Sequence, residues 1–352
     1  MLRVCGLGFA ETTCSPQPRH HPGGFDNVTL KPDPNTAAAV HREERGCHND
    51  QRRRVLKCML WAGTGVLWSV SGGIPRSALL GGSARAAESG DFSFVQISDS
   101  HIGFHNQPNP DPAGTLGEAI AHVNAAKGNA SLLIHTGDVS HLSAAEQFDT
   151  AEQIIRGSGL DAHYVPGEHD VLVDGGKPFL ERFAKGAKQG GWYSFDQQGV
   201  HFVALNNVAN LKAGGLGSIG REQLKWLEHD LHGRAASQPI VVFAHIPLWT
   251  VYEPWGWGTD DAAEALGYLR RFGSVTILNG HIHQIMQKVE GNVAFHTARS
   301  TAFPQPAPGS APSPGPIKDV PAWRLRSLLG ITAVKLVTVE QPLAIVDSPL
   351  GA

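Results

Sequence analysis

Five short segments of the chain carry residues that bind metal ions or move protons. They are Asp99-Ser100-His101, Gly137-Asp138, Gly167-Glu168-His169-Asp170, His245, and Gly280-His281-Ile282-His283. Carboxylates and imidazoles without thiols suit Mn, Fe or Zn. All four cysteines, Cys5, Cys14, Cys47 and Cys58, precede residue 59, which excludes thiolate ligation and disulfides beyond it. The set Asp99, His101, Asp138, Glu168, His169, His245, His281 and His283 is too large for one tetrahedral ion that keeps a water. It suits two ions that share a bridging carboxylate. On an extended segment, residues two apart point to the same side, so Asp99 with His101, and His281 with His283, reach one cluster. Gly137, Gly167 and Gly280 let the backbone turn sharply beside it.

Each segment must be held by something rigid, and apolar runs precede all five. Phe94 to Ser98, Ser131 to Thr136, Ala162 to Val165, Ile240 to Ala244 and Val275 to Asn279 read as short buried strands. Helix-like stretches lie between several of them, at Thr115 to Ala126, Ala144 to Arg156 and Arg221 to Leu231. Strands alternating with helices predict an α/β fold whose ligands bind beyond the carboxyl ends of the strands. Trp192 to Phe195 and Val200 to Leu205 read as an antiparallel pair. Ile285 to Val289 and Val293 to His296 read as a hairpin turning at Glu290-Gly291-Asn292. Ile331 to Val339 and Leu343 to Val346 read as closing strands, and no internal repeat is visible.

Charge divides the chain. Residues 1–86 carry 11 Lys and Arg against 6 Asp and Glu, a net of +5, whereas residues 87–352 carry 18 against 26, a net of −8. An acidic body argues against a nucleic-acid binding face. It leaves room for a small anionic substrate, because bound cations reverse the local field. Residues 1–50 lack apolar periodicity and read as a disordered extension. Within 51–86, Arg52-Arg53-Arg54-Val55-Leu56-Lys57 precedes an apolar run from Cys58 to Val70, then a Gly/Pro break and Ala84-Arg85-Ala86. This order is that of an export signal and resembles a twin-arginine signal. The apolar run is 13 residues, short of the ~20 a spanning helix needs. The expectation is export of a folded protein by the twin-arginine translocation machinery, a periplasmic or secreted location and no permanent membrane span.

The five ordered segments resemble those of the calcineurin-like metallophosphoesterases, and most closely the bacterial branch with cyclic-nucleotide and glycerophosphodiester phosphodiesterases. The resemblance runs from about Asp91 to Arg299, within a domain set at 91–347. It implies a four-layer α/β/β/α sandwich, two mixed sheets flanked by helices. It implies two metal ions, from Fe, Mn or Zn: Asp99, His101 and His283 hold one, Glu168, His245 and His281 the other, and Asp138 bridges. His169 faces the leaving group as proton donor or charge stabiliser. The activity implied is hydrolysis of a small phosphate ester, a phosphodiester before a monoester, by a metal-bridging hydroxide.

Glu168 departs from the family pattern, which has asparagine there. With two divalent ions, Asp99 and Asp138 leave two net positive charges, Glu168 leaves one, and a bridging hydroxide leaves none. A more neutral site attracts a phosphomonoester dianion less, which favours singly charged diesters or a more highly charged ion. The alternatives are a phosphomonoesterase or nucleotidase on the same site, or a metal-binding sensor that has lost turnover. Around the motifs, His141 and His105 are candidates to line the pocket. Trp249, Tyr252, Trp255 and Trp257 form either an aromatic wall or a self-packed loop. The Pro-rich loop 304–321 reads as a surface loop or the edge of a lid.

Overall fold

A computed structural model of the chain describes residues 92–336, apart from 127, 129, 185, 186, 188 and 189, together with 66–71, 74–79 and 344–351. The expected extension 1–50 lies outside these residues, as does most of the twin-arginine segment 51–86. Within that segment only two short antiparallel strands are described, β1 (Val66–Ser71) and β2 (Ile74–Leu79).

Two mixed sheets follow. The first has the order β13-β12-β3-β4-β5, from β3 (Phe92–Ile97), β4 (Ala130–His135), β5 (Asp161–Tyr164), β12 (Gly330–Leu336) and β13 (Ala344–Pro349). Its β3, β4 and β5 are mutually parallel, while β12 runs antiparallel to both β3 and β13. The second has the order β10-β11-β9-β8-β7-β6. Its members are β6 (Tyr193–Gln197), β7 (Val200–Ala204), β8 (Ile240–Phe243), β9 (Val275–Asn279), β10 (Gln287–Glu290) and β11 (Val293–Thr297). Here β7, β8, β9 and β11 are parallel, and antiparallel β6 and β10 close the two edges.

Strand alternation builds the layers. In β3, Phe92 and Phe94 face the second sheet, whereas Val95 and Ile97 pack toward helices. In β8, Val241 and Phe243 face the first sheet, whereas Ile240 and Val242 pack toward helices. Between the sheets lies a core of Phe94, Leu132, Ile134, Phe202, Phe243 and Leu278, each with no solvent exposure. Burying one such side chain contributes about 1.5–3 kcal/mol. Outside the first sheet pack α1 (Pro112–Ala126), α2 (Ala145–Arg156) and α3 (Lys177–Phe183); outside the second pack α4 (Arg221–Leu231) and α5 (Ala262–Leu269). The result is an α/β/β/α sandwich.

Strand and helix positions follow the sequence pattern with small shifts. Helix α1 begins at Pro112, three residues before the expected Thr115, because Asp111 Oδ1 accepts the Gly114 N–H at 2.9 Å and proline is preset for a first helical position. Helices α3, α5 and α6 (Ala322–Leu328) are 7 or 8 residues long, too short to display a helical period. The loop 304–321 contains no regular element. Among the described residues no helix is long and apolar enough to cross a membrane.

Candidate metal centre

The carboxyl ends of β3, β4 and β5 in one sheet, and of β8 and β9 in the other, point to a common edge. From them the chain delivers Asp99 and His101, Asp138, Glu168 and His169, His245, and His281 and His283. The backbone does this by turning rather than by running on as strand. Asp99, His101, Asp138, His281 and His283 have φ of 53°, 41°, 53°, 69° and 53°, five of the eight non-glycine residues with positive φ among those described. Each such conformation costs about 1–3 kcal/mol. Backbone hydrogen bonds hold the turns: Asp99 N–H to Gly137 O (3.0 Å), His101 N–H to Asp138 O (2.9 Å) and Gly280 N–H to His245 O (3.0 Å). The D-x-H and H-x-H spacings therefore do not act through the extended segment that the sequence led us to expect. Asp99 and His101 do share a cluster, but left-handed residues bring them together, and His281 and His283 part to different groups. Gly167 is needed for close approach, since a Cβ there would collide with Asp138 Oδ1, and its φ of −97° is ordinary.

Five overlapping groups of three donors result among the described residues. Three are His101, His141 and His169, then Asp99, Asp138 and His245, then Asp138, Glu168 and His169. The other two are the expected sets, Asp99, His101 and His283 as the first and Glu168, His245 and His281 as the second. In the first, His283 Nε2 lies 3.3 Å from Asp99 Oδ1 and 3.3 Å from His101 Nε2. In the second, Glu168 Oε2 lies 2.8 Å from His245 Nε2 and Glu168 Oε1 lies 2.9 Å from His281 Nδ1. Asp138 stands between them, its Oδ2 3.4 Å from His101 Nε2 and 3.5 Å from His245 Nε2. Its Oδ1 accepts the His169 backbone N–H at 2.9 Å.

These residues fit metal ions on three counts. His283 Nδ1–H donates to Phe303 O at 2.6 Å and His245 Nδ1–H to Thr136 O at 2.7 Å, which turns both Nε2 atoms inward as the ring atoms left to take up a cation, proton or metal. Despite their separations, His245 Nε2, Glu168 Oε2 and His281 Nδ1 are buried with no partner in hydrogen-bond geometry. All three ligand atoms of this group lie within 4.8 Å of one another, close enough to serve one ion. Finally, every ion pair that the described residues give Asp99, Asp138 and Glu168 is to an imidazole. Negative charge enclosed in this way, fully at Asp99 and Asp138 and in part at Glu168, suits a cation.

The electrostatics agree. Burial alone would raise the Asp99 and Glu168 carboxyls, but the facing imidazoles outweigh it, chiefly His283 for Asp99 and His281 and His245 for Glu168, and hold both low. Burial would lower His245, yet the Asp138 and Glu168 carboxylates lift it well above the ordinary imidazole range. His169 is raised in the same way, by Asp138 and Glu168 against burial, with help from the His141 carbonyl that accepts its Nδ1–H at 2.8 Å. Burial and the Asp138 carboxylate push Asp170 up to about 7 against the donors Gly167 N–H, Ser140 N–H and Val139 N–H. Those bonds tie the Asp138 loop to the Glu168 loop.

A cavity of about 740 Å³ opens over the centre. Phe104, Trp257 and Phe303 give it apolar walls, and the loop 304–321 contributes Gln305, Pro314, Gly315, Pro316 and Lys318. That loop is thus a cavity wall. Of the four aromatics after His245 only Trp257 lines it; Trp255 packs between Tyr252 and Trp257, and Trp249 packs on Phe295. His141 lines the cavity, whereas His105 is exposed and does not. Phe104 and Phe303 were not singled out in the sequence, because an isolated phenylalanine gives no signal apart from core.

A family model described as calcineurin-like phosphoesterase matches residues 92–285, over half of the chain. The chain belongs to the calcineurin-like phosphoesterase family. It is 22% identical over 223 residues to a probable glycerophosphodiester phosphodiesterase of Arcobacter nitrofigilis, a match covering 58% of this chain and 77% of that protein. It is 24% identical over 218 residues to a probable cyclic nucleotide phosphodiesterase of Rhodopseudomonas palustris, covering 59% and 78%. A dimetal phosphatase from Danio rerio superposes with a TM-score of 0.52 at 16% identity, over 72% of this calcineurin-like phosphoesterase and 98% of the fish protein. The last likeness is one of fold: two mixed sheets flanked by helices.

Proposed function

We propose that this calcineurin-like phosphoesterase is a dinuclear metal-dependent hydrolase of phosphodiesters. The observation that carries the reading is the pair of three-donor groups joined by Asp138 beside His169. Asp99, His101 and His283 would hold one ion, Glu168, His245 and His281 the second, and Asp138 both. The all-nitrogen and oxygen donor set suits Fe, Mn or Zn. When bound, the ions supply Lewis acidity toward phosphoryl oxygens and activate water near neutral pH.

The chain's own residues do the rest. Asp138 Oδ1 anchors the His169 backbone and the His141 carbonyl holds His169 Nδ1–H, so His169 Nε2 is left for the substrate. Its raised affinity for a proton suits it to donate that proton to the departing alkoxide as the P–O bond breaks and water oxygen joins phosphorus. Phe104, Trp257 and Phe303 exclude water and receive an apolar or aromatic substituent.

Three features support a diester over a monoester: the named activities of the two relatives, the added negative charge of Glu168, and a cavity much larger than a phosphate group. Export by the twin-arginine route to the periplasm or beyond belongs to the same reading and rests on residues 51–86. Hydrolysis of an aryl phosphodiester and its monoester, after reconstitution with Mn, Fe or Zn, tests the function. Metal-dependent turnover that is faster on the diester is expected, and metal binding without turnover of either would point to a sensor.

A further inference from the structure

The imidazoles with an Nε2 facing the centre are not all held alike. His245 and His283 each donate Nδ1–H to a buried backbone carbonyl, Thr136 O at 2.7 Å and Phe303 O at 2.6 Å. His101 presents Nε2 to Asp138 and His283 in the same manner. Yet its Nδ1 faces a side chain, His141 Nδ1, at 3.3 Å. A bare Nε2 toward a cation requires the proton of His101 on Nδ1, and then His141 Nδ1 must accept it.

We propose that His141 is a positioning residue for His101, doing with a side chain what backbone carbonyls do for His245 and His283. The inference rests on the proposed metal centre. Its ring is fixed for the task, stacked on His169 with centroids 4.7 Å apart and planes at 16°, and set edge-on to Phe104 at 5.3 Å. Its backbone N–H donates to Ile102 O at 2.9 Å, which ties it to the segment that carries His101. Its carbonyl orients His169 through the Nδ1–H bond. One residue therefore orients two neighbours, His101 through the ring and His169 through the backbone. Only the first depends on its being histidine. Unlike the two carbonyls, the ring also lines the cavity, so the orientation of one ligand is open to whatever fills that cavity.

The test exploits atom positions. His141→Asn places an acceptor oxygen where Nδ1 stands. His141→Phe keeps a ring against His169 and offers no acceptor. Metal affinity of each full-length protein is read by chelator competition with Mn or Zn alone, and thermal melting of the metal-free forms establishes that they fold. His141→Leu replaces the Phe variant should that one not fold. The Phe variant is expected to bind its weaker ion about 10–100-fold less tightly, with the Asn variant within a few-fold of the parent. Equal affinity in all three proteins, or an equal loss in Asn and Phe, overturns the proposal. Failure of the parent itself to bind metal would instead overturn the proposed function.

Discussion

Glu168 Oε2 lies 2.8 Å from His245 Nε2 without a hydrogen bond directed between them. In the proposed centre this carboxylate and imidazole share a cation, and Glu168 brings it a negative charge. The variant Glu168→Asn removes that charge while keeping an oxygen donor. It should move activity toward phosphomonoester dianions and change the metals retained on purification. Elemental analysis and the diester-to-monoester rate ratio check this; identical metals and an identical ratio would sink the role given to Glu168.

His169 is tied by its backbone to Asp138 and by Nδ1–H to the His141 carbonyl, and its ring lies outside both proposed ligand sets, although it approaches Asp138 and Glu168 closely enough to form a third. His169→Ala should lower kcat by roughly 10²–10⁴-fold with metal content unchanged. The loss should shrink for diesters with good leaving groups, which need no proton. A uniform loss across leaving groups would argue against proton donation.

Removal of metal should destabilise the fold. Asp99 and Asp138 are buried, and among the described residues their ion-pair partners are imidazoles. An ion present at 100 times its dissociation constant stabilises by about 2.7 kcal/mol. Differential scanning calorimetry with and without chelator should show a fall in Tm, restored by Mn, Fe or Zn. An unchanged Tm would mean that the centre folds without need of cations.

Below the centre, His135 accepts the Gly137 N–H at 3.2 Å through Nδ1 and donates Nε2–H to Ser100 Oγ at 2.7 Å. Burial lowers it from 6.5 to about 3. The folded state thus resists a proton that the unfolded chain accepts. Its contribution is present above pH 6.5 and is lost as pH falls toward 3. In His135→Gln, which keeps a donor toward Ser100, the acid-side decline should be shallower by up to about 1.4 kcal/mol per pH unit. Urea unfolding of metal-free protein between neutral pH and mild acid measures it, and parallel declines would contradict the assignment.

Much of this was legible in the sequence. Strands β3, β4, β8 and β9 announce themselves as β-branched runs that stop at Asp or His, and the alternation within them puts Phe94 and Val95 on opposite faces. What the sequence does not display is backbone hand. Asp and His tolerate positive φ but do not advertise it, so the turns at Asp99, Asp138 and His283 emerge only from the hydrogen bonds that enforce them. The partnership of His141 with His101 was hidden for a similar reason. It spans 40 residues and joins two loops across adjacent strands.

The central claim is a two-ion centre that cleaves diesters. The most direct measurement is metal stoichiometry together with turnover of an aryl phosphodiester, made on one preparation before and after chelation. The account predicts two ions per chain, hydrolysis that disappears on chelation and returns with Mn, Fe or Zn, and a slower rate on the matching monoester. Hydrolysis that survives complete removal of metal, or two bound ions with no turnover of either ester, would contradict it.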